Sequence, residues 1–139
     1  AEHPLVGNEK SRGHRRSAQY KPEYSAQCAA QRSFCLISGA GGVAVLAHPF
    51  TLKLPSKQLK ELVRELCDFG LGGIEVYYSE HTVLMQHEYL KLAKEFGLVA
   101  TGGSDFHGAL TPDIEVGRGF GSLKIPDDII AQLLDRRRV

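Results

Sequence analysis

Apolar and polar residues alternate irregularly at the start of the chain and with clear periods after residue 40. Residues 1 to 23 hold Pro4, Gly7, Gly13, Pro22 and a basic run from Arg12 to Arg16, with no sustained apolar period. They read as a tail or linker whose composition is compatible with disorder. A short helix is expected from Ser25 to Ser38, through Cys28, Phe34, Cys35 and Leu36. Val43 to Ala47 is a continuous apolar run, as in a strand buried on both faces. Leu59, Leu62, Val63, Leu66 and Phe69 recur at helical spacing, between Pro55 and Gly70. Ile74 to Tyr78 is β-branched and aromatic and reads as a second strand. Thr82 is placed to cap a third helix with Met85, Tyr89, Leu92, Ala93 and Phe96 on its apolar face and Gly97 as its stop. Leu98 to Thr101 is a third strand, and a last helix starts at Pro126 and uses Ile129, Ile130, Leu133 and Leu134.

Strands and helices that alternate at this spacing predict βαβ units and a parallel sheet, hence an α/β fold. Three strands make a small sheet with open edges, so a larger barrel or sheet is expected. The 139 residues suffice for one domain. No apolar run approaches the roughly 20 residues that cross a bilayer, so no membrane partner is expected. No apolar targeting segment is visible in the first residues, which favours a cytoplasmic location. The net charge of +1 argues neither for nor against nucleic acid. The basic clusters at Arg12–Arg16 and Arg136–Arg138 read as solvated charge. Cys28, Cys35 and Cys67 lack metal or disulfide spacing and are expected as buried free thiols in a reducing compartment.

Ligands of such folds sit at the carboxyl ends of the strands. The first strand runs out into His48-Pro49, and the third into Gly102 to Gly108, which contains Ser104, Asp105 and His107. Asp105 and His107 lie two apart, so in extended backbone both point to one side, and a carboxylate with an imidazole suits a divalent metal. Taken alone, the pair fits a capping aspartate and a surface histidine equally well, and His48 alone fits a core or capping residue. Neighbouring strand ends bring the three into one region. Glu75, inside the second strand, fits a metal ligand, a partner that orients a histidine, or a residue on an exposed face. His81 fits a contact to a substrate phosphate or a surface position at a helix start. His3, His14 and His87 read as bystanders, and Ser104 as a turn residue, since no GxSxG frame surrounds it.

These stretches resemble a known family. Ala40 to Pro49 is similar to the third motif of the PHP (polymerase and histidinol phosphatase) family, Gly72 to Tyr78 to the strand that follows it, and Thr101 to Gly108 to the fourth motif. Pro112 to Gly117 and Leu123 to Pro126 resemble the closing segment. The best match is the TrpH-like branch of nucleoside-bisphosphate phosphatases and exoribonucleases. The resemblance implies that residues 24–139 are the C-terminal part of a distorted (β/α)7 barrel. It implies hydrolysis of phosphate esters of nucleotides or RNA ends by metal-activated water, at two or three Mn, Fe or Zn ions. It places His48, Asp105 and His107 on metal-ligand positions; beside these, Asp105 is expected to be catalytic as well, His81 to contact substrate and Glu75 to support the ligands. The family's N-terminal HxH motif, a second His-bearing segment and a Glu have no counterpart in residues 1 to 39. A missing N-terminal half is therefore expected as the partner of this segment, and the isolated chain is expected to be incomplete as an enzyme. Two other readings stay open: a non-catalytic remnant that binds a metal or partner, and a related amidohydrolase. The sequence leaves the exact substrate and the oligomeric state undetermined.

Overall fold

The computed structural model describes residues 22–137. The proposed tail up to residue 21, with His3, His14 and Arg12–Arg16, and Arg138 lie outside the described residues. Helix α1 (Pro22–Gly39) leads to strand β1 (Ala44–Leu46), a 3-10 turn (Pro49–Leu52), α2 (Ser56–Asp68), β2 (Leu71–Tyr78), α3 (Val83–Phe96), β3 (Val99–Gly103), a second 3-10 turn (Gly108–Leu110) and α4 (Ile129–Arg136). The strands pair in parallel in the order β1-β2-β3. The chain is thus an α/β protein with a parallel sheet, as its periodicity predicts.

Local signals account for most of the boundaries. The Thr82 hydroxyl accepts from the Met85 N–H at the start of α3, and Gly97 ends that helix in the left-handed region. Gly41 is left-handed after α1, where the Gly42 N–H donates to the Ile37 carbonyl and the Gly41 N–H to that of Ser38. The α1 helix begins at Pro22 and so takes in two residues whose composition resembled the tail. By its apolar pattern β2 is expected from Ile74, and it starts at Leu71. Gly72 and Gly73 gave no strand signal, but they leave room for their neighbours. A Cβ on Gly73 would meet the side chains of Val45 and Thr101 at 3.1 and 3.2 Å.

One face of the sheet carries the core. Leu59 and Val63 of α2 and Tyr89, Leu92 and Ala93 of α3 pack on Leu71, Ile74 and Val76, with Leu98 at the end of the sheet. Ile74, Val63 and Val76 are fully buried. Burial of each such side chain contributes about 1.5–3 kcal/mol. The α4 helix starts at Ile129 rather than Pro126, packs against β3 and buries Ile129, whereas Ile130 and Leu134, expected on its apolar face, are exposed.

Two expectations are corrected. Cys28 and Cys35 are exposed and Cys67 is half-buried, because α1 has little to pack against apart from Phe34 on Phe69. Arg136 and Arg137 are not merely solvated: their guanidiniums donate to the carbonyls of Gly97 and Gly41, tying the end of α4 back to the sheet. No helix among the described residues is long and apolar enough to cross a membrane. Among those residues β1 and β3 each keep one unpaired edge.

Candidate metal and phosphate site

The carboxyl ends of all three strands face one region. His48 follows β1 and adopts a left-handed conformation with φ 31°. Asp105, just past β3, does the same with φ 58°. Such backbone costs a non-glycine residue roughly 1–2 kcal/mol and is concentrated at functional sites. The left-handed turn replaces the extended backbone expected at Asp105, so it is this turn that sets the direction of its carboxylate.

Hydrogen bonds assign the proton on each ring. The Thr51 hydroxyl donates to the His48 carbonyl at 2.9 Å, so its oxygen is left to accept from His48 Nδ1 at 3.3 Å. His107 Nδ1 donates to the Asp105 carbonyl at 2.8 Å. In both residues Nε2 therefore carries the lone pair, which is the form that ligates metals. The anchoring of Nδ1 by a neighbouring oxygen is the arrangement that orients metal-binding histidines. The Asp105 carboxylate lies 3.7 Å from His107 Nδ1 and accepts from the Tyr78 phenol at 2.9 Å. The N-cap of the short helix that follows is His107 rather than Asp105, and the His107 side chain is exposed, as a surface histidine would be.

His48 and Asp105 are linked through Tyr78. The Tyr78 ring lies 5.9 Å from that of His48, and its phenol reaches Asp105. Burial, followed by the hydrogen bond and the negative charge of Asp105, holds the phenol well above its usual pKa. It therefore remains a donor to the carboxylate.

Glu75 is half-buried on β2, on the face opposite Ile74 and Val76, which is the more exposed of the two. Its Oε2 accepts from the backbone N–H of His48 at 2.5 Å. The carboxylate thus holds the main chain of His48 rather than its ring. Its Oε1 lies over Gly103, where a Cβ would approach within 3.1 Å. Burial raises the Glu75 pKa, and the His48 N–H partly offsets this.

His81 is not a surface residue: it is 7% exposed and sits among Phe50, Tyr78 and Tyr89, with ring centroids 5.4, 5.0 and 4.9 Å away. Its Nδ1 donates to the Val76 carbonyl at 2.8 Å, while Nε2 has no partner among the described residues. Burial lowers its pKa. Ser104 is a turn residue, as expected. Its hydroxyl accepts from the Gly117 N–H and its carbonyl from the Ser79 hydroxyl. His87 is exposed.

The structure thus pairs Asp105 with His107 and connects His48 to them through Tyr78. Among the described residues no three His, Cys, Asp or Glu side chains form a ready group for a metal ion. The donors themselves, two imidazoles with free Nε2 and one carboxylate, suit a divalent cation. Tyr78 and Thr51 were not singled out in the sequence. Thr51 lies one 3-10 turn beyond His48, a spacing that would have revealed it.

No protein-family model matches the chain. It is 44% identical over 68 residues to the phosphoribosyl 1,2-cyclic phosphate 1,2-diphosphodiesterase of Eggerthella lenta, covering 49% of this chain and 24% of that protein. It is 38% identical over 71 residues to the 3′,5′-nucleoside bisphosphate phosphatase of Chromobacterium violaceum, covering 51% and 25%. It is 36% identical over 91 residues to the 5′-3′ exoribonuclease Rnm of Salmonella typhimurium, covering 66% and 31%. A crystal structure from Bifidobacterium adolescentis, described as that of a metal-dependent phosphoesterase, superposes with a TM-score of 0.62 at 27% identity, covering 79% of this chain and 37% of that one. The chain spans about a quarter to a third of the length of these curated relatives. Over the stretches they share, the chain is a homologue of phosphoesterases, a nucleotide phosphatase and exoribonucleases, the class of proteins that its motifs resemble.

Proposed function

We propose that the chain carries part of the centre of a metal-dependent phosphoesterase that hydrolyses phosphate esters of nucleotides or RNA ends. One observation carries the proposal: Nδ1 of His48 faces the Thr51 hydroxyl and Nδ1 of His107 the Asp105 carbonyl, which leaves two Nε2 atoms and the Asp105 carboxylate free to ligate at the carboxyl ends of the outer strands β1 and β3. Two imidazoles and a carboxylate are a donor set for Mn, Fe or Zn. When bound, a divalent ion of this kind would acidify water and neutralise charge that builds on the phosphoryl oxygens.

The roles of the protein groups follow from their contacts. His48 and His107 present lone pairs. Asp105 acts as ligand and is the carboxylate best placed to accept or return a proton. Tyr78 fixes one of its oxygens. Glu75 holds the main chain of His48 in its left-handed turn. His81 lies beyond Tyr78, on the side assigned to substrate. The open edges of β1 and β3 fit a sheet that continues, as in a (β/α)7 barrel. The proposed partner is accordingly the missing N-terminal half.

The test is Mn2+ titration and hydrolysis of a 3′,5′-nucleoside bisphosphate by this chain joined to an N-terminal half from a relative. His48→Ala and His107→Ala are expected to weaken Mn2+ binding and to remove turnover. Turnover that is unchanged in His107→Ala would refute the ligand assignment. Turnover of amides in place of phosphate esters would move the chain to the amidohydrolases. Metal binding with no turnover at all would leave a non-catalytic remnant.

A further inference from the structure

A cavity of about 370 Å3 opens between the carboxyl end of β2 and the segment after β3. Its wall includes Tyr77, Tyr78, His81, Gln86, Phe120 and Lys124. Its size is that of a small-molecule site, and its place beyond the strand ends is where α/β folds bind ligands. Tyr78 belongs both to this wall and, through its phenol, to Asp105.

Two features of the cavity lack a structural explanation. Phe120 is 58% exposed at the rim. It stands in the run Gly117-Arg118-Gly119-Phe120-Gly121, whose three glycines all have φ between +58° and +99°. That loop is pinned: the Gly117 N–H donates to the Ser104 hydroxyl, and a Cβ on Gly119 would come within 2.6 Å of the Ser79 hydroxyl. An aromatic ring is thus held in solvent by a tightly fitted backbone. The second feature is His81, a buried imidazole with one nitrogen committed to Val76 and the other unpartnered among the described residues. An unmet buried acceptor is costly unless something donates to it.

We infer that this cavity is the subsite for the nucleobase of the substrate, with Phe120 stacking on the base and Gln86 and His81 reading its polar edge. The inference rests on the proposed action on nucleotide phosphates and adds where the base goes. A second phosphate is a poorer occupant. The buried imidazole presents a lone pair that would oppose phosphate oxygens, and Lys124 is a lone exposed cation beside three aromatic rings. Aromatic faces accept any base, which suits a site with little sequence preference.

The test is metal-free titration of the full chain, followed by the imidazole nitrogen-15 signals of His81 and the ring proton signals of Phe120. Adenosine 5′-monophosphate is expected to shift both, whereas ribose 5-phosphate at the same concentration leaves His81 unmoved. Phe120→Ala, at an exposed position, is expected to weaken adenosine 5′-monophosphate binding roughly tenfold, the loss of about one stacked base contact. Equal responses to the two ligands, or loss of the response in Lys124→Ala with Phe120→Ala unaffected, would make the cavity a phosphate site and overturn the inference. No response of His81 to either ligand would also overturn it. Because no metal is present, a failure here is separable from failure of the ligand assignment, which Mn2+ titration reads.

Discussion

Tyr78→Phe removes one oxygen and keeps the ring. The ring lies 5.0 Å from His81, 5.7 Å from Phe50 and 5.9 Å from His48, and these contacts persist in phenylalanine. What is lost is the 2.9 Å hydrogen bond to Asp105. A bond to a charged acceptor contributes about 1.5–3 kcal/mol, and neutral pairs contribute about 1. Phenylalanine leaves no unmet donor behind, and the Asp105 side chain is 39% exposed, so water can replace the phenol. The loss of stability should therefore fall near the lower end, about 1 kcal/mol, or about 4 °C in Tm for a chain of this size. Mn2+ binding should weaken by a larger factor, about tenfold, because the carboxylate regains rotational freedom before it can ligate.

The same substitution alters alkaline behaviour, and the sign follows from linkage. The folded pKa of Tyr78 is raised above its ordinary value of 10, by burial first and the Asp105 hydrogen bond second. Above pH 10 the unfolded chain loses this proton before the folded one does, so stability that is complete below pH 10 falls as the pH rises further. Urea denaturation from pH 8 to 11.5 should show a steeper alkaline fall in the wild type than in Tyr78→Phe. Parallel curves together with unchanged Mn2+ affinity would refute the positioning role of the phenol.

Glu75→Gln tests the buried carboxylate by the same linkage. Burial raises its folded pKa above 4.5, so its stability contribution is complete below that pH and declines as the pH climbs through the folded value. The metal-free glutamine variant, which still accepts from the His48 N–H, should gain stability relative to wild type between pH 4.5 and 8. A difference between the two that does not change with pH would contradict this. Gly102→Ala tests the close packing of β3 on β2. Its Cβ would lie 2.7 Å from both Cβ and the carbonyl oxygen of Tyr77, which backbone cannot avoid. A loss of about 1–3 kcal/mol in chemical denaturation is expected, and a neutral result would show that the strands slide freely.

Much of the scaffold was legible in the sequence because its signals are local. Thr82 and Gly97 bound α3 through a hydroxyl cap and a left-handed glycine, both properties of single residues. The apolar periods of α2 and α3 identified the faces that meet the sheet, and the run of Val43 to Ala47 contained β1, although Val45 is exposed and the strand is not buried on both faces. Propensity alone missed the start of β2, because Gly72 and Gly73 have no strand preference of their own, and only the family resemblance put Gly72 in the strand. They are in the strand because their neighbours need the space a side chain would fill.

The site divides in the same way. Sequence alone determined that His48, Asp105 and His107 stand at strand ends, since order and spacing decide that. Only the tertiary structure decided what each atom does. It put the left-handed turn at Asp105, the Tyr78 phenol on its carboxylate, and Glu75 under the main chain of His48. It also moved His81 from an open choice into a buried aromatic cluster. These are contacts between residues 27 positions apart in two cases, and their directions depend on backbone torsions and strand register. A residue's type specifies which bonds it can make, whereas the packed sheet selects which of them it does make.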